Sequence, residues 1–284
     1  MAKSLAHKFG QIIGDLLELA LLPKLERFVK INNLYLDRKG KRKARKGKKV
    51  SWFDTYENKH DLDFVIERGG SDTEIGMPVA FIEIAWRRYT KHSRNKVGEI
   101  QCAIGPLYRK YQSSSPFLGV LLAGEFTEGS LTQLKTNGFN VLYFPYQSVV
   151  NAFKKVGIIA DFNENTEEEE FRKKIESWEN ITNKSDVAKE LLKINKKNID
   201  EFFNSLTNSV SRFIERIVIL PLHGQETFAN NIAEAIDFLK NYSEEKPKLP
   251  IIRYEIIIKY NTGDRIEASF KDKKDTIKFL ETYL

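Results

Sequence analysis

A chain of 284 residues with 41% hydrophobic, 12% aromatic and 30% charged residues suits one elaborated α/β domain or two smaller ones, and excludes fibrous and disordered classes. The single cysteine, Cys102, and four histidines without ligand spacing exclude a disulfide framework, a zinc cage and an iron–sulfur cluster, and fit a reducing cytoplasm. No apolar run approaches the roughly 18 residues of a membrane span, so export and a membrane partner are not expected, and the formal charge of +7 turns attention to polyanions.

Residues 4 to 30 predict a helix, because Phe9, Ile12, Ile13, Leu16, Leu17, Ala20 and Leu21 recur at helical spacing. Pro23 predicts a kink or a junction between two helices, and Glu18 is the acid nearest the apolar stripe. The stretch that follows carries nine basic residues and no acid: Arg38, Lys39, Lys41, Arg42, Lys43, Arg45, Lys46, Lys48 and Lys49. These exceed the whole net surplus, so the chain is a near-neutral body with one concentrated electrostatic footprint for nucleic acid. Gly40 and Gly47 predict that it forms an exposed loop or hairpin tip.

From Val50 the pattern is β, with two extended pieces turning near Asn58 and a third over GMPVAFIEIAWRRYT. A helix from about Ser93 to Tyr111, a strand over 117–124, a helix over 130–136 capped by Gly138 and a strand over 139–144 then give a βαβ crossover. The composition next turns acidic and polar, and the run Glu167 to Glu170 reads as the first turn of a helix capped by Thr166. From Arg216 a strand, a helix over Glu226 to Tyr242, a hairpin turning at Asn261 to Asp264 and a closing helix are expected. The predicted fold is α/β, a mixed central sheet flanked by helices. Residues 1–160 form its core with the first helix and basic loop, 161–215 a helical insert or linker, and 216–284 a small βαββα module.

Chemistry concentrates in residues 61 to 101. Asp61 and Asp63 alternate with Leu62 and Phe64, which in a strand turns both carboxylates to one face. Glu83 is the one charged residue within the apolar run VAFIEIAW, and a buried carboxylate costs several kcal/mol unless something compensates it. Two carboxylates on adjacent strands make a hard oxygen site suited to Mg²⁺, which supports phosphodiester hydrolysis. The sequence after Glu83 supplies Arg87, Arg88, Lys91, Arg94 and Lys96 without an acid, as a phosphate backbone requires. Glu99 and Gln101 follow on the helix.

These residues resemble the PD-(D/E)XK nuclease superfamily, in particular its type II restriction endonuclease-like members, over roughly residues 5 to 150. The resemblance implies a restriction-endonuclease-like core in which Asp63, Glu83 and the main-chain carbonyl of Ile84 bind Mg²⁺, with Mn²⁺ able to substitute. The family's lysine belongs two residues after Glu83, where this chain has Ala85, so Lys91 or Lys96 must enter instead or the site is degenerate. Glu18 matches the acid that some members take from the first helix, and Glu99 and Gln101 resemble a helix-borne Glu or Gln beside the metal. The implied activity is cleavage of double-stranded DNA at a specific sequence, by a homodimer if both strands of a symmetric site are cut. A structure-specific repair nuclease and a non-catalytic DNA-binding protein on a degenerate core are the alternatives, and the C-terminal module would serve target recognition or dimerisation.

Other residues invite plainer readings. Asp61 suits a turn cap, His223 and Gly224 a strand-end turn, and Cys102 a small core position. Trp52, Tyr56 and Trp86 suit either base stacking or core packing, and no phosphate-binding glycine loop is present.

Overall fold

The computed structural model describes residues 4–222, 225–244 and 253–283, and the chain divides into a first unit to residue 207 and a second from 208. Helix α1 (Leu5–Ile31) opens the first unit, its first turn capped by the Ser4 hydroxyl, which accepts the His7 N–H at 3.3 Å. Phe9, Ile13, Leu16, Leu17, Leu21 and Leu25 along its inner face are fully buried. Pro23 neither ends nor divides this helix, so the alternative of a junction between two helices is not met. The carbonyl that proline leaves unpaired belongs to exposed Leu19, where water can take the place of the missing N–H.

Strands β1 (Tyr35–Arg38), β2 (Val50–Phe53), β3 (Lys59–Leu62), β4 (Phe64–Arg68) and β5 (Met77–Arg87) follow. They lead to α2 (Ser93–Lys110), β6 (Phe117–Gly124), α3 (Glu128–Thr136), β7 (Asn140–Pro145) and α4 (Tyr146–Lys154). The central sheet has the order β1-β4-β5-β6-β7. Pairing is antiparallel from β1 to β5 and parallel from β5 to β7, so the sheet is mixed. The βαβ crossovers account for the parallel half, because parallel neighbours need a long return path. Helix α2 sets Val97, Ile100, Ile104 and Leu107 against Val65, Phe81, Ala85, Val120 and Leu122, and each such side chain gains about 1.5–3 kcal/mol on burial.

The ribbon β2–β3 stands apart as a two-stranded sheet, and Asp63 interrupts what was expected as one strand through residues 59–68. Helices α5 (Glu168–Asn180), α6 (Lys184–Ile194) and α7 (Lys196–Val210) come next. The first two pack on α1, and α6 also on α4, within the first unit, where residues 161–215 were expected as an insert or linker. Phe9, Phe153, Phe162 and Phe171 meet there at ring distances of 5.2 to 6.3 Å. Thr166 does not cap α5. Glu167 holds the cap position without a side-chain bond, and the Thr166 hydroxyl instead accepts the Asn163 N–H at 2.9 Å.

In the second unit β8 (Ile214–Pro221), β9 (Thr227–Ala229), α8 (Ile232–Asn241), β10 (Tyr254–Tyr260), β11 (Arg265–Phe270) and α9 (Lys273–Glu281) form a sheet of order β11-β10-β8-β9 with two helices. The helix expected from Glu226 starts at Ile232 instead. Thr227–Ala229 pairs with β8, and the Asn231 side chain caps α8 by accepting the Glu234 N–H at 2.9 Å. The hairpin turns at Gly263, φ +88°, as its sequence predicts. His223 and Gly224 lie outside the described residues.

Candidate active site

The register Phe64↔Ile82 of β4 and β5, carried one step further, sets Asp63 opposite Glu83. The register Arg38↔Phe64 of β1 and β4 likewise brings Lys39 beside Asp63. The two acids are tied through the backbone. Asp63 Oδ2 accepts the Ile84 N–H at 2.7 Å, while the Asp63 N–H donates to the Glu83 carboxylate.

Glu83 is 8% exposed, and burial first, then the charge of Asp63, pushes its carboxyl up to about 8 against the pull of Lys96. Burial raises Asp63 as well, opposed by the Ile84 N–H and by Lys96 and Lys39. Glu18, on α1, is raised by burial and by Asp63 and Asp15, so it belongs to the same electrostatic cluster. A cavity of about 520 Å³ is lined by Asp15, Glu18, Lys39, Asp61, Asp63 and Glu83. Asp15 was not singled out in the sequence, although its spacing of three from Glu18 sets both on one helix face.

Lys96 Nζ, in the first turn of α2, stands 3.9 Å from Glu83 Oε2 and 3.5 Å from Glu99 Oε2. Lys91 is not there. It is exposed and bonded to Glu164 at 2.7 Å. Ala85 is buried among Val97, Ile100 and Val120, so this strand position faces packed α2 side chains where a lysine would be desolvated. Glu99 is exposed and reaches Lys96 and, at 3.8 Å, Arg87. Gln101 points elsewhere, accepting the Gln133 amide at 2.8 Å.

Asp63, Glu83 and the Ile84 carbonyl are hard oxygen donors, and two buried carboxyl groups facing each other, offset by main-chain N–H groups, by Lys96 and, at Asp63, by Lys39, suit a divalent cation. Among the described residues no group of three His, Cys, Asp or Glu side chains is placed to hold a metal ion, so a cation here would depend on two carboxylates and main chain. Asp61 is taken up by Lys49 at 2.7 Å, the Ser51 hydroxyl at 2.6 Å and Lys59 at 3.5 Å.

The basic segment is not uniformly a solvated loop. Arg42 is buried, with its guanidinium bonded to Glu67 at 2.9 Å, 3.1 Å from Asp37 and 4.3 Å over the Tyr35 ring. Arg45 is also turned inward, to Asp37 and to the carbonyls of Arg38 and Gly47. These two pin the segment to β1 and β4 and are withdrawn from a nucleic-acid face. Arg38 pairs with Glu26 at 3.4 Å, Lys43 with Asp72 at 3.8 Å, and Lys49 with Asp61, whereas Lys41, Lys46 and Lys48 are exposed. Arg88 lies 3.9 Å over Tyr146 and donates to the Phe162 carbonyl, Arg87 donates to the Trp86 carbonyl, and Arg94 is exposed on α2.

Cys102 is exposed, not a core residue, because it falls off the Val97, Ile100, Ile104 and Leu107 stripe. Trp52 is core, Tyr56 is 86% exposed and Trp86 is half-buried.

No protein-family model and no curated protein matches the chain. Among solved structures, a crystal structure of a protein of unknown function, AF1548, is similar over 66% of this chain and 98% of its own, at 9% identity and a TM-score of 0.25.

Proposed function

We propose that the first unit is a restriction-endonuclease-like core of the PD-(D/E)XK type, and that the protein is a Mg²⁺-dependent endonuclease of double-stranded DNA acting at a specific sequence. The observation that carries this reading is the buried Asp63–Glu83 pair with Lys96 at 3.9 Å from Glu83. Asp63, Glu83 and the Ile84 carbonyl would hold the ion, which when bound supplies an activated water and charge stabilisation at the phosphate. The Ile84 N–H orients the Asp63 carboxylate, and the Asp63 N–H orients that of Glu83. Lys96, 3.9 Å from Glu83, is placed to stabilise charge developing on the phosphate oxygens. Glu18 adds an acid from the helical side of the cavity. Lys41, Lys46, Lys48 and Arg94 are the exposed cations available to flanking phosphates. In this reading the second unit serves target recognition or contacts between two copies, one for each strand.

Incubation of phage and plasmid DNA with the protein in Mg²⁺, Mn²⁺ or EDTA, beside Glu83→Ala, tests the reading. Discrete fragments from wild type alone, and only with metal, are expected. The buried Ala85 in place of the family's lysine favours one second reading, a DNA-binding protein on a degenerate core. DNA shifted but uncut in every lane would support it, and cutting confined to branched substrates would point to a structure-specific nuclease.

A further inference from the structure

A second cavity, of about 560 Å³, adjoins the carboxylate pocket. Ile84 follows Glu83 in its wall, Gly14 precedes Asp15, and Lys96 lines it while standing 3.9 Å from Glu83. One side is the face of α1 bearing His7, Gly10, Gln11 and Gly14, another is the end of β5 with Trp86, and the 162–168 segment completes it. Glycine inside a helix is unfavourable, yet two stand here one turn apart. A side chain begun at Gly14 would meet nothing within 4 Å, and one at Gly10 would first reach the Trp86 indole at 3.6 Å. Gly14 therefore leaves open space on this face of α1, while Gly10 lets the helix approach the edge of the Trp86 indole to ordinary contact distance.

The lining chemistry is that of a nucleotide site. Trp86 offers a half-buried aromatic face, and Arg88, held over Tyr146, a fixed planar cation. His7 and Gln11 are exposed polar groups able to meet base edges, and Arg87 and Lys96 supply positive charge for a phosphate. Of the two acids on the wall, Glu164 is already paired with Lys91. The volume lies within the range of about 300–1,000 Å³ usual for small-ligand pockets, which is room for one nucleotide.

We propose that this cavity receives a single unstacked nucleotide of the bound strand, its base against Trp86 and its phosphate toward Lys96. The inference rests on the nuclease reading and deepens it. Nucleic acid with an unpaired or readily extruded nucleotide next to the cut becomes the preferred substrate, since extrusion costs least there.

The test compares two duplexes of one sequence, fully paired or carrying one unpaired 2-aminopurine, bound in Ca²⁺ by the full-length protein. Wild type, Gly14→Phe and Trp86→Ala are each measured, and plasmid cleavage in Mg²⁺ is run in parallel. Wild type is expected to bind the unpaired duplex about tenfold more tightly, with a change in 2-aminopurine fluorescence. Gly14→Phe fills the cavity without disturbing the core, and with unchanged melting it should abolish both effects, as should Trp86→Ala. Equal affinity for the two duplexes, or a preference that survives both variants, overturns the cavity assignment. If plasmid is cut while either of those results is seen, the nuclease reading stands alone. If plasmid is never cut but the preference is present and lost in the variants, the cavity assignment stands and the nuclease reading falls.

Discussion

Lys96 Nζ lies 3.9 Å from Glu83 Oε2, reaching from the first turn of α2 to a carboxylate buried on β5. A strand lysine two residues after Glu83 would have to stand at Ala85, inside the packed layer between β5 and α2. The helix delivers the cation from outside that layer, where Lys96 is also half-shared with exposed Glu99.

Substitution of the two lysines separates their roles. Lys96→Met is expected to lower the cleavage rate by about 10²–10³-fold, the usual loss for one stabilising donor at a reacting centre. Lys91→Met removes an exposed pair with Glu164 and a contact over the Tyr89 ring, and should leave the rate within about threefold. Single-turnover cleavage measures both, and equal losses would refute the assignment of Lys96.

Glu83 makes stability depend on pH. Its carboxyl is raised from an ordinary 4.5 to about 8, chiefly by burial and then by Asp63. Between those values the folded protein holds a proton that the unfolded chain has released, so metal-free stability falls as pH rises through this window. Glu83→Gln removes the part of the dependence that Glu83 supplies. Its unfolding free energy should gain on wild type from about pH 5 to about pH 8.5, by roughly 2–4 kcal/mol at the upper end, and Mn²⁺ should shrink the gap by stabilising wild type alone. A difference constant with pH would contradict the account.

The basic segment contains cations of two kinds. Arg42→Met leaves Glu67 buried without its guanidinium and should cost about 3–5 kcal/mol in denaturant unfolding. Changing Lys41, Lys46 and Lys48 together to Gln should leave stability unchanged. It should also flatten the log–log salt dependence of DNA binding by about 0.9 for each phosphate that is no longer neutralised. An unaltered slope would mean that this loop faces away from the duplex.

Periodicity in the sequence was enough to locate α2, β6, α3 and β7 within a few residues, since each carries a strong apolar pattern. Asp63 and Glu83 stood out for the same reason, as carboxylates set into apolar strands. The choice between Lys91 and Lys96 was not legible, because it depends on where α2 starts and how it is turned against β5. Nor was the burial of Arg42, whose partners Asp37 and Glu67 come from two other strands. Cys102 was readable in retrospect. The helical spacing of Val97, Ile100, Ile104 and Leu107 already leaves it outside the buried stripe. The three-residue β9 gives no period to detect, and its pairing with β8 decides where α8 begins.

Metal binding tests the central assignment without needing a recognition sequence. Mn²⁺ titration followed by electron paramagnetic resonance should show a site in wild-type protein that tightens as pH rises through about 8, as Glu83 releases its proton. Asp63→Asn and Glu83→Gln should each weaken it at least tenfold, while Asp61→Asn should not. Equal Mn²⁺ binding in wild type and both variants would contradict the assignment of this carboxylate pair as a metal centre.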